Sequence, residues 1–218
     1  AYAFPFTSQW VRLHSVEIAA GTETVGTQLI WERTRARLQP GSDAIYGAEN
    51  GLLPDDIEKF SIKDGPAINV YDSRYHGDYP FCGNLWFNAD GSRIYTACGT
   101  LLTTAAVQAD DMLYAGRLVF SPVANEHFVR AVEASVNPAT GAVLFLTEPN
   151  NGCDRAVSPN LCWTRVEEFA SGALTPRLLY SLPPIEVAGT RYPQRGLFVF
   201  HSDGGSTRVL ISRAAGSP

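Results

Sequence analysis

The sequence has little charge, few lysines and no long apolar run. Only 18% of its 218 residues are charged, and Lys59 and Lys63 are its two lysines beside 15 arginines. The net charge is −5 and no basic run occurs, so the cationic surface expected of a nucleic-acid-binding protein is missing. No stretch approaches the roughly 18 apolar residues of a membrane helix. The sequence therefore predicts no nucleic-acid partner and no membrane insertion.

The common catalytic motifs are also missing. We find no Gly-x-Ser-x-Gly elbow, no His-Glu-x-x-His pair and no Cys-x-x-Cys pair. His14-Ser15 and His201-Ser202 are adjacent in sequence, but neighbouring residues of a strand point to opposite faces, so neither pair joins a nucleophile to its base. The four histidines are His14, His76, His127 and His201, and they are scattered along the sequence. No catalytic residue is predicted, and a ring of inward histidines holding a metal stays an alternative.

Four cysteines are present, and their spacing favours one of three pairings. Cys82 and Cys98 flank the turn signal Asn88–Ser92 at equal distances from residue 90, where a hairpin would place them opposite each other. Cys153 and Cys162 enclose a polar loop that a local bridge would close. We predict the disulfides Cys82–Cys98 and Cys153–Cys162, with buried free thiols as the alternative. Two disulfides indicate a periplasmic or secreted protein.

A repeat of about 50 residues runs through the chain. Gly41, Gly91 and Gly141 each lie in a turn signal that is followed by an apolar strand, and they are spaced 50 apart. A fourth copy, Asp203–Ile211, is displaced further along, as expected if the Cys153–Cys162 segment is an inserted loop. Repeats of this length are typical of solenoids and propellers.

Short strands separated by Gly, Pro and Asp, without a helical period, predict an all-β protein. A four-stranded unit that repeats is typical of a β-propeller, here a single domain over residues 1–218 with three complete and two partial blades. The strands are predicted at Tyr2–Phe6, Val11–Ile18, Thr24–Trp31, Thr34–Leu38, Ala44–Ala48, Ile57–Ile62, Ala67–Asp72, Gly83–Phe87, Arg93–Thr100, Val129–Val136, Ala142–Thr147, Thr164–Ala170, Pro176–Leu182, Gly196–Ser202 and Thr207–Arg213.

Four segments carry a resemblance to a known group of domains: LHSVEIAAGTET, YGAENGLLPDDIEKFSI, YDSRYHGDYPFCGNLWFNADGSRIYTACG and GLFVFHSDGG. They resemble the propeller domain near the C-terminus of large secreted bacterial proteins. The resemblance implies a secreted bacterial protein and a ring of seven blades when complete, and it implies no particular activity.

In the resembling domains earlier blades precede the segment that matches Ala1–Ser8. We therefore expect either a small ring closed by a composite blade from both ends or a piece of a longer propeller. In both cases Gly196–Ser202 and Thr207–Arg213 should lie beside strands from Tyr2–Trp31, within the chain or in a second copy. The apolar face to be covered would contain Leu197, Val199, Val209 and Ile211, and open blade edges would favour self-association.

One loop is the candidate ligand site. Tyr75, His76, Asp78 and Tyr79 place two aromatic rings, an imidazole and a carboxylate around Gly77, a combination that suits a sugar or another polar ligand. The structural alternative is that His76 and Asp78 form hydrogen bonds between blades while the tyrosines separate the sheets.

Two acidic pairs, Asp55-Asp56 and Asp110-Asp111, precede apolar strands 55 residues apart and suggest equivalent blade positions. Carboxylates and carbonyls are calcium ligands, yet no Asp-x-Asp-x-Asp-Gly loop exists. No cofactor is predicted, and calcium binding is an alternative. The structural interpretation of both pairs is that they are acidic turns that cap strands. Glu49-Asn50 is a weaker candidate.

Three functions follow from these patterns. The leading one is a noncatalytic secreted propeller that binds a glycan or a protein, or displays neighbouring domains. The second is a metal-dependent hydrolase or lactonase that uses channel-facing carboxylates and histidines. The third is a structural propeller fragment without its own ligand. The sequence leans away from an enzyme but does not decide, because propellers host all three.

Overall fold

The computed structural model describes residues 1–6, 9–50, 53–122, 128–149, 164–202 and 208–214. Their regular structure is β-strand, apart from one short 3-10 helix at Gln108–Asp110. The prediction of an all-β protein is confirmed. The chain divides into two compact units, Ala1–Gly116 and Arg117–Pro218. No helix in the described part of the chain is long and apolar enough to cross a membrane.

The first unit contains three antiparallel sheets, whose strands pair in chain order. The first sheet is β1 (Tyr2–Ala3), β2 (Trp10–Glu17) and β3 (Thr22–Trp31). The second is β4 (Arg35–Leu38), β5 (Ala44–Ala48), β6 (Ile57–Ser61) and β7 (Ile68–Asp72). The third is β8 (Leu85–Phe87), β9 (Arg93–Thr96), β10 (Thr100–Thr103) and β11 (Tyr114–Arg117).

The second unit contains one four-stranded sheet and two hairpins. The sheet is β12 (Val129–Val136), β13 (Val143–Pro149), β14 (Arg165–Phe169) and β15 (Leu178–Ser181). The hairpins are β16 (Ile185–Val187) with β17 (Thr190–Tyr192), and β18 (Gln194–His201) with β19 (Arg208–Ala214). The expected three complete and two partial blades match the three four-stranded sheets, the sheet β1–β3 and the hairpin β18–β19. The hairpin β16–β17 was not predicted.

The predicted glycine repeat occupies equivalent turns. Gly41 lies between β4 and β5, Gly91 between β8 and β9, and Gly141 between β12 and β13. All three have a positive φ, between 67° and 71°, which L side chains rarely adopt. Each turn therefore joins the first and second strands of a four-stranded sheet. The fourth copy of this turn lies outside the described residues.

The second sheet is buried on both faces because it lies between the other two sheets of the first unit. One face places Ile45 and Phe60 against Val11, Leu13 and Ile30 of the first sheet. The opposite face contributes an apolar cluster with the third sheet: Tyr46, Ala48, Ile57, Phe81, Leu85 and Ile94. Apolar faces that only a neighbouring sheet covers are the packing of a repeat protein.

The second repeat was predicted with one long strand, Arg93–Thr100, and this is wrong. The strand ends at Thr96, where Gly99 donates its N–H to the Thr96 carbonyl and has a φ of +85°. That turn reverses the chain into β10, so Arg93–Thr100 covers two strand segments. A strand-like composition continues through the turn, which is why the sequence did not reveal it.

The Cys82–Cys98 disulfide is present, with 5.4 Å between the Cα atoms. The hairpin register that predicted it is wrong by one residue, since Leu85 pairs with Thr96 and Phe87 with Ile94. Both cysteines lie beyond the strand ends, and Cys82 has a φ of +61°. The bridge therefore closes the base of the hairpin outside the ladder. The predicted Cys153–Cys162 bridge lies outside the described residues.

The face predicted for the C-terminal strands is partly wrong. Val199 is buried, as predicted, and packs with Leu210 against the sheet β12–β15, whereas Ile211 is about half exposed. The register pairs Val199 with Leu210 and Phe198 with Ile211, so Leu210 and not Ile211 shares the buried face of the hairpin. In the described residues β18 and β19 pair with each other alone. That these strands lie beside strands from Tyr2–Trp31, within the chain or in a second copy, stays a prediction.

Candidate functional site

The predicted loop follows β7 and begins in a tight side-chain turn. Ser73 donates its N–H to the Ile57 carbonyl, 2.8 Å, and its hydroxyl accepts the N–H of Tyr75, 3.0 Å. These bonds anchor the start of the loop on β6. Tyr75 and Tyr79 are half-buried against the apolar cluster of the second and third sheets, whereas His76 and Asp78 are exposed. The four predicted residues are therefore neither all buried between sheets nor all free in solvent.

Three tyrosines meet at this loop and are called here the tyrosine cluster: Tyr75, Tyr79 and Tyr114. The rings of Tyr79 and Tyr114 stack in parallel at 4.1 Å, and Tyr75 meets the edge of Tyr79 at 4.9 Å. Tyr114 donates its N–H to the Tyr75 hydroxyl, 3.1 Å, so the loop covers the outer edge of β11. Tyr114 remains 41% exposed. Sequence reasoning missed Tyr114, because nothing local links the start of β11 to a loop 35 residues earlier.

The loop also contacts the connection between β5 and β6. His76 Nδ1 lies 3.0 Å from Asp56 Oδ2. A Cβ atom on Gly77 would approach Pro54 to 3.2 Å, and Gly77 has a φ of +97°. Glycine is therefore required there for two reasons, space and backbone conformation. Asp55 accepts the N–H of Cys82, 3.1 Å, so the disulfide-bonded segment joins the same neighbourhood.

Five carboxylates gather at this end of the second sheet, and they are called here the carboxylate cluster: Glu49, Asp55, Asp56, Glu58 and Asp72. Strand register explains the gathering. Glu58 pairs with Asp72 across β6 and β7, and Glu49 donates its N–H to the Asp56 carbonyl just beyond the β5–β6 ladder. Since every second residue of a strand faces the same way, Asp56 and Glu58 share a face. The sequence prediction found Asp55-Asp56 and Glu49, and missed Glu58 and Asp72.

Burial dominates the electrostatics of this cluster. Glu49, Asp56 and Glu58 are buried, although their nearest charged neighbours are mostly other carboxylates. Burial, reinforced by Asp56, Asp72 and Asp55, raises the pKa of Glu49 to about 7. Burial, reinforced by Glu49, Asp72 and Asp56, raises the pKa of Glu58 to about 8. The pKa of Asp56 is raised by burial too, against the opposing effects of the Ile57 N–H and His76.

The second acidic pair lies in a different environment. Asp110 is exposed in the 3-10 helix, but the Asp111 side chain is completely buried. Asp111 accepts hydrogen bonds from the Tyr46 hydroxyl, the Tyr71 hydroxyl and the Ala105 N–H, and it pairs with Lys59 at 2.8 Å. Asp111 thus ties the second sheet to the third, and it also accepts a backbone N–H just beyond the end of β10.

Histidines outside the loop make local contacts. His14 Nδ1 lies 2.7 Å from Glu23 Oε1 across β2 and β3, and His201 Nδ1 lies 3.2 Å from the Ser135 hydroxyl. His127 lies outside the described residues. Within the described ranges, no group of three or more His, Cys, Asp or Glu side chains has the arrangement of a metal site. The calcium and metal-dependent hydrolase alternatives remain sequence predictions.

Comparison with known proteins supports the fold. No protein-family model and no curated protein matches the chain. Thirteen chains of solved structures match it. One is a quinonprotein alcohol dehydrogenase-like protein from Bacteroides thetaiotaomicron, with a TM-score of 0.51, 9% identity and coverage of 81% of this chain. The fold is that of a β-propeller. This chain covers 42% of the length of that neighbour, and at 9% identity the likeness speaks for the propeller fold alone.

Proposed function

We propose that this propeller is a noncatalytic binding module of a secreted bacterial protein and that it binds a glycan at the tyrosine cluster. The observation that carries the proposal is the stacked, partly exposed pair Tyr79–Tyr114 beside the exposed polar groups of His76 and Asp78. Aromatic faces pack against the apolar C–H face of a sugar ring, and flanking polar groups form hydrogen bonds with its hydroxyls.

The preorganisation of the loop supports binding. The Ser73 hydroxyl bonds, the His76–Asp56 pair and the edge-on Tyr75 ring hold the loop from three directions. A surface that is already ordered loses less conformational entropy when a ligand binds. The Cys82–Cys98 bridge, which closes the segment after the loop, supports secretion because such bridges persist in oxidising compartments.

The experiment is a glycan array followed by titration calorimetry with the best hit. Tyr114→Ala removes the exposed ring of the stack, and we expect about a tenfold or larger loss of affinity, since stacked aromatic contacts contribute about 1–3 kcal/mol. The matched control is Tyr180→Ala, which removes a ring of similar exposure, 51%, from β15 in the second unit. The control should bind like the parent protein.

Three outcomes would contradict the proposal. The first is binding that Tyr114→Ala leaves unchanged, and the second is equal loss in both variants. The third is an array without hits while a defined partner protein, in the same titration, binds the parent chain but not Tyr114→Ala. In that last case the surface would be a protein-binding site, and the glycan proposal would be wrong.

A further inference from the structure

The three rings of the tyrosine cluster form one compact stack and not a row. Tyr79 and Tyr114 are parallel within 5°, with centroids 4.1 Å apart, and Tyr75 stands nearly perpendicular to Tyr79, at 82° and 4.9 Å. A sugar ring between Tyr79 and Tyr114 would need about 3.5–4.0 Å on each side, or about 7–8 Å in all. The facing sides of these two rings are therefore closed to a ligand.

One ring of the stack is open to solvent. Tyr114 is 41% exposed, whereas Tyr75 and Tyr79 are half-buried against the apolar cluster of the second and third sheets. The Tyr75 hydroxyl accepts the Tyr114 N–H, 3.1 Å, so the start of β11 is held against the loop. The face of Tyr114 that turns away from Tyr79 is thus the platform that this cluster offers to a sugar.

The polar groups of the site are equally confined. His76 and Asp78 are exposed and lie within the five-residue loop Tyr75–Tyr79. Partial burial, followed by the charges of Tyr75, Tyr114 and Asp78, raises the pKa of Tyr79, which agrees with a position of the Asp78 carboxylate beside the stack. One aromatic face and two polar side chains of a single loop match the contacts that one sugar residue can make.

No second aromatic platform continues the site among the described residues of the first unit. Apart from Tyr114, the exposed aromatic residues there are Phe6 and Trp10. Trp10 precedes Val11 on β2, and because Val11 faces the second sheet, Trp10 points away from it. Phe6 lies in the connection between β1 and β2, with the Arg33 guanidinium 5.5 Å from its ring. The second sheet separates this part of the unit from the third sheet.

We infer that the site recognises a single sugar residue of its glycan and does not bind along an extended polysaccharide. The inference rests on the proposed function and adds the class of glycan to it. On an extended site, each further stacked ring would raise the affinity for a longer glycan by about tenfold or more. With one platform, a longer chain gains only in the number of residues that can occupy it, about threefold between a dimer and a hexamer.

The test uses cello-, malto- and chito-oligosaccharides, each as the dimer, the tetramer and the hexamer. By titration calorimetry with the parent chain, we expect the hexamer of any series that binds to be at most about threefold tighter than its dimer. A larger gain would mean contacts beyond one sugar residue and would overturn the inference. This ratio is measured on the unaltered protein, so it does not depend on the folding of any variant.

Variants give a second, independent criterion. Tyr114→Ala should weaken the dimer and the hexamer by the same factor, about tenfold or more, because one platform serves both. On an extended site the hexamer would keep its other contacts and lose less. Trp10→Ala removes another exposed ring of the first unit, 48% exposed, and is the control that should leave both affinities unchanged. A smaller loss for the hexamer in Tyr114→Ala, or a loss confined to the hexamer in Trp10→Ala, would overturn the inference.

The two proposals fail in distinguishable ways. If the hexamer binds far more tightly than the dimer and Tyr114→Ala abolishes the binding of both, the glycan-binding function stands and the inference of a single sugar residue is wrong. If an oligosaccharide binds and Tyr114→Ala has no effect, the glycan is recognised elsewhere, and both proposals are wrong. If no glycan binds in the array or in the titrations, both are wrong as well.

Discussion

Two acidic dipeptides with the same sequence have opposite surroundings in the first unit. Asp111 of the Asp110-Asp111 pair is fully buried and satisfied by Lys59, two tyrosine hydroxyls and a backbone N–H. Asp56 of the Asp55-Asp56 pair is buried near Glu49, Glu58 and Asp72, and its Oδ2 lies 3.0 Å from the His76 imidazole. A buried lysine compensates the charge of Asp111, whereas the charged neighbours of Asp56 are mostly other carboxylates.

The difference follows from where the neighbouring strands place lysine. Lys59 directly follows Glu58 on β6, so the two side chains point to opposite faces of the second sheet. The ammonium group therefore serves the face that packs on the third sheet, where Asp111 lies. The face that carries Glu58 receives no lysine.

The largest effect on stability is expected when the ion pair between Lys59 and Asp111 is removed. Lys59→Met keeps the length of the side chain but leaves Asp111 as a buried charge without its cation, and we expect a loss of about 3–5 kcal/mol in the free energy of unfolding. Urea unfolding monitored by tryptophan fluorescence measures it. Asp64→Asn, at an exposed site, should change the free energy by less than about 0.5 kcal/mol. A Lys59→Met loss below about 1 kcal/mol would contradict the structural role of the pair.

Removing the disulfide tests how the connection that carries Asp55 and Asp56 is held in place. Cys82 and Cys98 are 16 residues apart, and closing a loop of this size stabilises a protein by about 3 kcal/mol. The double variant Cys82→Ser with Cys98→Ser should lose about that much and should raise amide hydrogen exchange around Asp55, which accepts the Cys82 N–H. The Asp111 network should keep its protection. Equal loss of protection at both sites would show that the bridge does not act locally.

Strand positions and the glycine turns were predictable because they depend on local alternation and on residues with special backbone conformations. Gly41, Gly91 and Gly141 identified the same turn in three sheets, and their positive φ values explain why. The turn at Gly99 was missed since residues 97–99 interrupt one apolar run that reads as a single strand. Local sequence signals do not resolve a three-residue reversal within such a run.

The candidate site was predictable only in part. The loop Tyr75–Tyr79 carried enough aromatic and polar groups to be noticed, but Tyr114 joins it from a distant strand through packing. Glu58 and Asp72 join Asp56 through cross-strand register, which depends on the β-bulge after Lys59 as well as on the pattern. The sequence treated both acidic pairs alike, and tertiary contacts with Lys59 separate them.

The third effect is the pH dependence of the free energy of unfolding that Glu49 and Glu58 produce. The pKa of Glu49 is raised from 4.5 to about 7 and that of Glu58 from 4.5 to about 8, so the folded chain binds more protons than the unfolded chain over this range. Their contribution is complete below pH 4.5 and is lost as pH rises through about 7 to 8. We expect Glu58→Gln to be more stable than the parent at about pH 9, by about 2 kcal/mol, and to show a flatter pH dependence. Identical pH profiles of unfolding would contradict it.

The smallest effect is expected at His76, whose imidazole lies 3.0 Å from the Asp56 carboxylate. Its side chain is 62% exposed, and exposed ion pairs contribute about 0–1 kcal/mol. His76→Gln should therefore lower the free energy of unfolding by less than about 1 kcal/mol, against about 3–5 kcal/mol for Lys59→Met. Because His76 lowers the pKa of Glu49 and of Asp56, its removal should raise both values, which carboxyl-detected NMR titration measures. A His76→Gln loss as large as that of Lys59→Met would mean that His76 balances the carboxylate cluster after all, and the contrast between the two acidic pairs would be wrong.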